Sequence, residues 1–574
     1  MIFLEKLFFL LDLFCNYFHL IISRKKQIFL ILPMLLCAFF SIFNFINQMW
    51  EIGYTTADDV AVTGILIDEY ASIIYDAWIN LDQRVVFYLT SALDYVRLSF
   101  GSGQIPFRIF TITPVIFLVL SYSWLVKELF QSRYIGFSSF VFCFSFFQHS
   151  WFHNSLSSFP LNLNLGFLFL TLSFTLFLKF FKNRLDYTLA ASFLGSLSVF
   201  IYEMFIPYLV VFGYLFFLMI IRKELSFNKE VCWRFLYFLL PLIFSVAIVS
   251  SYHINADFQQ GHNNISMVSK FNIWKYIESV WVFTYSSIPG TIFHHYHHFI
   301  NNFFNVNGDY SIVNVSHLMR ISWLIVPSSC CLVVYIFKFL YVKKIFLYSE
   351  YFILFLISFS LVFSSNLLVS LTIGHQGRAL GGHEIMYAGS YFSMYGWIFI
   401  LCLVLKIISD LQNIHIKNIF IFISIYLFNI LYQNQVSNTF VATHQSLSYS
   451  RWKILEKMHN NQKFNHIDKH NSIIFSKGMW GEVGDPFWGV FHPHGWKHRD
   501  AYWYNFSLNS FKEGLPIFRN NEGCNHTVGR CDNKDKYVLL FNVDFKSRSS
   551  SIRVCEDKIE GLVNCEDEKF RSFL

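Results

Sequence analysis

The stretch Gly53-Tyr-Thr-Thr-Ala-Asp-Asp-Val60 closely follows an apolar run at residues 28–47, which is long enough to cross a membrane. It carries adjacent carboxylates at Asp58 and Asp59. Two like charges side by side repel each other, so one of the two should hold a proton more readily than an isolated acid. The pair could therefore act as a general base near the bilayer. Alternatively, Asp58 and Asp59 cap the helix that follows them.

The composition is typical of a polytopic α-helical membrane protein. The chain has 574 residues, of which 55% are hydrophobic and 14% charged, and the mean hydropathy is +0.43. Besides the run at 28–47, further runs of about 20 apolar residues predict spans, so that about eleven transmembrane helices are expected. These further runs lie near residues 106–126, 134–150, 161–181, 187–203, 204–221, 235–253, 321–342, 351–373, 391–408 and 416–433.

The basic residues predict the orientation of these spans. Residues 1–27 read as an interfacial helix on the cytoplasmic side, ending in Arg24, Lys25 and Lys26. Alternating the spans then places most Lys and Arg in short cytoplasmic turns. The transmembrane domain covers residues 28–433, and its outer loops are 48–105, 254–320 and 374–390. We therefore expect a multi-pass protein of the inner (cytoplasmic) membrane, with the N-terminus inside and the C-terminal domain in the periplasm.

The tail, residues 434–574, changes character near residue 445. The β-prone segments Ser472–Phe475 and Tyr537–Val543 are separated by turn residues, which predicts a small mixed α/β domain outside the cytoplasm. An amphipathic helix around Tyr449–Met458 should lead into it. Four tail cysteines have the spacing of two short disulfide loops, which require an oxidising compartment. The favoured pairs are Cys524 with Cys531 and Cys555 with Cys565.

Two further places could carry chemistry. Tyr202 and Glu203 close one apolar run just as the next begins. An acid there should line a polar cavity or pair with a base, because a charge inside the hydrocarbon core costs about 3 kcal/mol. A simple interfacial residue that turns the hairpin is the alternative.

The second place is the loop at 374–390, in which glycines supply backbone freedom. Arg378 could bind a lipid-linked phosphate through parallel hydrogen bonds. The alternative is a pair with Glu384 or with lipid head groups. His375 and His383 stand beside it as candidate substrate-binding residues.

The short cytoplasmic turns leave no room for a nucleotide-binding domain, and they contain no Gly-rich phosphate loop. Nothing in the sequence demands a cofactor; a divalent ion such as Mg²⁺ or Mn²⁺ could assist, but metal ligands stay unknown. The cluster His294–His298 is too tight a run for all its rings to reach one ion. No nucleic-acid partner is expected, because the basic residues lie between apolar spans.

An outward acidic pair after the first span, surface helices behind it, many spans and an outer C-terminal domain together resemble the GT-C superfamily of membrane glycosyltransferases. The resemblance covers the architecture of residues 28–433. It implies that a sugar passes from a polyprenyl-phosphate or polyprenyl-diphosphate donor, outside the cytoplasm, to a lipid-linked glycan, another surface glycan or a lipid. No Trp-Trp-Asp triplet of the oligosaccharyltransferase type is present.

The resemblance also implies roles for the candidate residues. Asp58 or Asp59 would be catalytic, and Arg378 would stabilise the departing phosphate. Tyr202 and Glu203 look like features of bacterial members. The remaining substrate-binding candidates are Tyr54, His375, His383 and Glu384. The sequence does not decide between inversion and retention at the anomeric carbon.

Two other functions stay open. An O-antigen polymerase or ligase also acts on outward lipid-linked glycans, but it typically depends on outer loops rich in Arg, which this chain lacks. A polysaccharide transporter or flippase would show charged or broken helices within the membrane, whereas the spans here are largely uncharged.

Overall fold

A computed structural model describes most of the predicted membrane domain and the strands of the tail. The described residues are 38–39, 41–49, 104–149, 160–256, 272–291, 346–380 and 388–410, helical positions within 430–442 and 454–461, and the seven strands 472–475, 517–519, 524–525, 530–531, 537–544, 549–558 and 561–571.

The described helices are mostly long and apolar. In chain order they are α1 (41–49), α2 (Gln104–Phe130), α3 (Arg133–Ser145), α4 (Pro160–Phe180), α5 (Leu185–Ile201), a 3-10 helix (Glu203–Leu209), α6 (Val210–Ile221), α7 (Lys229–Ala256), α8 (Ile273–Ser286), α9 (Tyr348–Val369), α10 (Ile373–Leu380) and α11 (Ala388–Asp410). Six segments are long and apolar enough to cross a membrane by length and composition. These six lie in α2, α4, the 3-10 helix with α6, α7, α9 and α11.

The described part of residues 28–433 is therefore a helical bundle with several candidate membrane spans, in line with a polytopic membrane protein. One of the expected spans is shorter than predicted, because the run at 134–150 forms the 13-residue helix α3. The run at 187–203 forms the 17-residue helix α5, which begins at Leu185 and ends at Ile201. The expected spans at 321–342 and 416–433 lie largely or wholly outside the described residues.

The helices alternate in direction, so their basic residues collect at one end of the bundle. Contacts between helices confirm that these residues share an end. Arg234 Nη1 donates to Phe181 O at 3.1 Å and to Lys182 O at 2.8 Å, and Arg222 Nη2 donates to Leu129 O. We call this the basic end. Its members are Lys127, Arg133, Lys179, Lys182, Arg184, Arg222, Lys223, Lys229, Arg234 and Lys406.

Four charged side chains are buried at the basic end as two ion pairs. Arg222 Nε lies 2.8 Å from Glu350 Oε1, and Lys406 Nζ lies 2.7 Å from Asp410 Oδ1. The Tyr351 hydroxyl also donates to Asp410. Each of the four charges has an opposite charge beside it, which offsets the cost of removing it from water. They connect α6, α9 and α11.

Close backbone contact joins α9 to α11. A Cβ atom added at Gly396 would lie 2.4 Å from Val362 N, and one added at Gly389 would lie 2.8 Å from Ser365 O. Small residues that let helix backbones approach are typical of membrane bundles, where lipid supplies no hydrophobic force between helices.

The tail contains a mixed five-stranded sheet in the order β2 (Ile517–Arg519), β1 (Ser472–Phe475), β5 (Tyr537–Asp544), β6 (Ser549–Lys558) and β7 (Gly561–Arg571). β1 pairs in parallel with β2 and β5, whereas β5, β6 and β7 form an antiparallel meander. Both segments predicted as strands, at 472–475 and 537–543, are strands in this sheet. Of the predicted helix at 449–458, Ile454 and Met458 are helical and buried.

The cysteines of the tail lie in paired strands. Cys524 in β3 (Cys524–Asn525) directly opposes Cys531 in β4 (Arg530–Cys531). Cys555 is in a disulfide bond. The register passes from Val554 opposite Glu566 to Glu556 opposite Val563, which leaves Cys555 facing residues 564 and 565. The predicted partner Cys565 is therefore next to it along the sheet.

Candidate functional site

Helix α3 ends well inside the bundle. Ser132 caps its N-terminus, accepting a hydrogen bond from Ile135 N at 3.4 Å, and the helix then runs for 13 residues to Ser145. At about 1.5 Å per residue this spans about 20 Å, whereas the hydrocarbon core is about 30 Å thick. Residues 146–149 continue without helix and are buried. Non-helical backbone at this depth is tolerated where protein surrounds it or a polar cavity adjoins it.

Amide side chains donate hydrogen bonds to the backbone carbonyls that the end of α3 leaves unpaired. Asn434 Nδ2 donates to Phe147 O at 2.7 Å and to Ser145 O at 3.3 Å. Asn438 Nδ2 also donates to Phe147 O, at 2.6 Å, and its Oδ1 accepts from His149 N at 2.8 Å. One helical turn separates Asn434 from Asn438, so both amides point to the broken end of α3.

Two more amides extend this polar region to α1 and to the end of α8. Gln148 Nε2 donates to Ser287 O at 3.2 Å and to Ile288 O at 2.9 Å. The ring of His149 is completely buried, and its Nε2 lies 3.2 Å from Gln48 Oε1. Because this oxygen can only accept, Nε2 carries the hydrogen. We call Gln48, Gln148, His149, Asn434 and Asn438 the amide junction.

A second hydrogen-bond network continues from the amide junction. Trp397 Nε1 donates to Ser287 Oγ at 2.9 Å, next to the carbonyl that Gln148 contacts. Asn366 Nδ2 donates to Thr284 Oγ1 at 3.0 Å and to Ser393 Oγ at 2.9 Å. The buried groups of α8, α9 and α11 thus lie beside those of α1 and α3. All are uncharged, in contrast to the basic end.

Tyr202 and Glu203 lie at a second break, as the sequence predicted for the boundary between two apolar runs. Tyr202 is extended, with φ −155° and ψ 125°, and it separates α5 from the 3-10 helix, in which Pro207 removes a donor. Both side chains are partly exposed. Glu203 begins a 19-residue span that ends at Ile221 beside the basic end, so it marks the opposite end.

Packed rings connect this second break to the amide junction. The ring of Phe205 lies 5.4 Å from Phe392, and Tyr391 lies 5.5 Å from Phe392 and 4.9 Å from Phe147. Phe147 in turn lies 5.2 Å from the ring of His149. The two helix breaks therefore belong to one region of the bundle, away from the basic end.

The segment carrying His375 and Arg378 is partly helical, and not only the open glycine loop that the sequence suggested. Helix α10 spans Ile373–Leu380 and packs against α8. His375 and Arg378 occupy positions i and i+3 of this helix, a spacing that puts two positions on one side of a helix. Gln376 Nε2 donates to Ser370 O at 2.8 Å and fixes the start of α10 on the end of α9.

Helix α8 supports α10 from one side. Asn272 caps it by accepting from Trp274 N at 3.0 Å and Lys275 N at 3.3 Å. The hydroxyl of Tyr276 donates to Leu367 O at 3.1 Å. Burial raises the pKa of Tyr276, which keeps this donor protonated.

Five of the predicted site residues lie outside the described part of the chain: Tyr54, Asp58, Asp59, His383 and Glu384. The structure thus describes Tyr202, Glu203, His375 and the backbone of Arg378, and it places them at the end of the bundle that holds the amide junction. Helix α1 leads from Gln48 towards residues 53–60 along the chain. Among the described residues, no group of three His, Cys, Asp or Glu could hold a metal ion.

Comparison with known proteins finds no matching family model, no similar curated protein and no similar solved structure.

Sequence reasoning did not select the members of the amide junction. A signal was nevertheless present, because amides stand at or near the outer ends of three predicted spans: Gln48 after 28–47, Gln148 within 134–150 and Asn434 after 416–433. A single amide at the end of a span usually lies at the membrane interface. The sequence alone therefore does not distinguish a buried amide from an interfacial one, whereas the packing of the helices does.

Proposed function

We propose that the protein is a membrane glycosyltransferase that moves a sugar from a polyprenyl-(di)phosphate donor to a lipid-linked glycan or another cell-surface acceptor on the non-cytoplasmic face. One observation carries the proposal: Tyr202, Glu203 and the helix bearing His375 and Arg378 lie at one end of the bundle, and α1 ends there before residues 53–60. Catalytic and binding groups of one reaction must lie on the same side of the membrane and near one another, and a shared end supports this.

In this proposal, one of the two aspartates removes the proton from an acceptor hydroxyl, and the oxygen attacks the anomeric carbon of the donor. The bond from that carbon to the phosphate oxygen breaks, and Arg378 stabilises the negative charge left on the phosphate. Tyr202 and Glu203 contact the substrate. A divalent ion, Mg²⁺ or Mn²⁺, would add positive charge at the phosphate if it binds.

Two features support this location of the chemistry. The basic end is the one that the positive-inside rule favours for the cytoplasm, which leaves the end with Glu203 outside. The disulfide at Cys555 needs an oxidising compartment, and this favours a tail on the outer side as well.

The experiment that tests the proposal uses the full chain in proteoliposomes, with a radiolabelled polyprenyl-phosphate sugar and extracted acceptor lipids. The double substitution Asp58→Asn, Asp59→Asn should lower transfer by about a hundredfold or more, the usual contribution of a general base. Asp186→Asn is the matched control, because this exposed carboxylate pairs with Arg184 at the basic end. Full transfer by the double variant would remove the aspartates from the mechanism.

A transporter or flippase for a polysaccharide precursor is the second candidate. The early end of α3 favours it, because broken helices with polar groups at membrane depth are typical of transport sites. The same proteoliposomes separate the two functions. Movement of a labelled lipid-linked sugar to the other leaflet, without a new glycosidic bond, identifies a transporter.

A further inference from the structure

Most of the unpaired polar atoms of the amide junction are acceptors. The side-chain NH₂ groups of Gln148 and Asn434 are both engaged with backbone carbonyls of the broken segments. Among the described residues, four buried polar atoms of the junction make no protein hydrogen bond. They are Gln148 Oε1, Asn434 Oδ1, His149 Nδ1 and Gln48 Nε2.

Such atoms are costly in a folded protein. A buried polar group without a partner costs about 1–3 kcal/mol, and native interiors contain few of them. Here four occur together, two on residues of the short segment 145–149 and two on residues that contact it. Ser41, on the same helix as Gln48, shows the contrasting case, since its hydroxyl bonds to Ser145 Oγ at 2.9 Å.

The types of the four atoms define what could satisfy them. Three are acceptors and one is a donor, and none of the junction side chains carries a carboxylate to balance a cation. A hydroxyl group can donate to the acceptors and accept from Gln48 Nε2, so several neighbouring hydroxyls match the set. The rings of Phe147 and Tyr391 adjoin the junction. Uncharged amides beside aromatic rings are suited to a neutral polyhydroxyl ligand.

We propose that the amide junction binds the hydroxyl groups of the sugar carried by the polyprenyl-phosphate donor. The identity of this ligand rests on the proposed function, whereas the binding chemistry rests on Gln48, Gln148, His149 and Asn434. The junction then holds the neutral ring, and the phosphate stays near the surface, towards Arg378. Recognition of hydroxyls by buried amides gives selectivity, because a ligand without them leaves the amides unpaired.

The test measures binding without transfer. The full chain in lipid nanodiscs is titrated with polyprenyl phosphate bearing glucose, galactose, mannose or arabinose, and with bare polyprenyl phosphate as the reference. At least one glycolipid should bind about tenfold more tightly than the bare lipid, which corresponds to about 1.4 kcal/mol. Gln48→Met and His149→Phe, which keep approximate shape, should each abolish this difference. Ser41→Ala, the matched control on α1, should preserve it.

The inference is overturned if no glycolipid binds better than the bare lipid, or if both variants keep the difference. Two variants are used so that the test still stands if one of them misfolds. Each variant must elute as a monodisperse species in nanodiscs. The proposed function fails separately. If the variants abolish sugar-dependent binding but the wild type transfers no sugar, the binding site is retained and the transporter is favoured. If the wild type transfers sugar but neither variant changes the difference in affinity between glycolipid and bare lipid, the enzyme is retained and this binding site is rejected.

Discussion

Arg222 and Glu350 form an ion pair with 2.8 Å between Nε and Oε1, and both side chains are at least 97% buried. Glu350 Oε2 also accepts from Leu347 N at 2.9 Å, so the same carboxylate anchors the first turn of α9. The pair therefore joins the last turn of α6 to the first turn of α9 without exposure to solvent.

Removal of one partner of this pair should destabilise the protein. Glu350→Gln leaves the Arg222 charge buried without an opposite charge, at a cost of about 3–5 kcal/mol. The apparent melting temperature in detergent should fall clearly. Asp186→Asn, which removes one partner of the exposed pair of Arg184 and Asp186, should leave the apparent melting temperature unchanged. An Arg222→Met, Glu350→Leu double variant should recover much of the loss, and a double variant no better than Glu350→Gln would contradict this account.

Glycine at position 396 should be required for the packing of α9 on α11. Gly396→Ala puts a Cβ atom 2.4 Å from Val362 N and 2.6 Å from Leu361 C, so the backbones must separate. We expect a loss of about 1–3 kcal/mol in unfolding free energy. Gly213→Ala is the control, since nothing lies within 4 Å of the added atom. Equal stability of the two variants would show that α9 and α11 are not in close contact.

The break after α3 should depend on Asn434. Asn434→Ala removes the donor that satisfies Ser145 O and helps to satisfy Phe147 O, at a cost of about 1–3 kcal/mol. Ser437→Ala, in the same segment, removes only a bond to Gln433 O within its own turn. Chemical unfolding of the two variants compares these costs. If Ser437→Ala lowers the unfolding free energy as much as Asn434→Ala, the hydrogen bonds from Asn434 to Ser145 O and Phe147 O contribute little to stability.

The partner of Cys555 should be Cys565. Cys565→Ser should therefore free one thiol at Cys555, which a maleimide probe detects in the denatured, non-reduced protein as one additional label by mass. Cys531→Ser should likewise free Cys524 if the opposed pair in β3 and β4 is oxidised. Wild-type protein should already label at the free thiols Cys143, Cys232 and Cys402. No additional label in Cys565→Ser would assign Cys555 to another cysteine.

Local patterns were sufficient for much of the helical fold. Apolar length predicted α2, α4, α7, α9 and α11, because a long run without charges has few other stable arrangements in lipid. Alternation of strand and turn residues likewise predicted β1 and β5. Length alone failed at α3, where Phe146 and Phe147 prolong the apolar run past the end of the helix. Hydropathy does not distinguish a helical phenylalanine from one in a buried non-helical segment.

The candidate site was predictable only where a charge interrupted apolar sequence. Glu203 stands out for this reason, and the structure places it at a helix break as expected. Gln148 and Asn434 are 286 positions apart in the sequence. Asn434 donates to the carbonyls of Ser145 and Phe147, and Gln148 donates to those of Ser287 and Ile288, and no local sequence pattern encodes these contacts. The acidic pair Asp58 and Asp59 stays a prediction.

The order of the tail sheet has one more consequence, for association between copies. Among the described strands, β7 lies at one edge of the sheet and is eleven residues long, and an unpaired edge of that length can recruit a strand from another chain. Its sequence contains Glu566-Asp567-Glu568-Lys569, so that stacking two copies in parallel register would bring like charges together. The edge most open to amyloid-like growth is thereby protected by its own charge pattern.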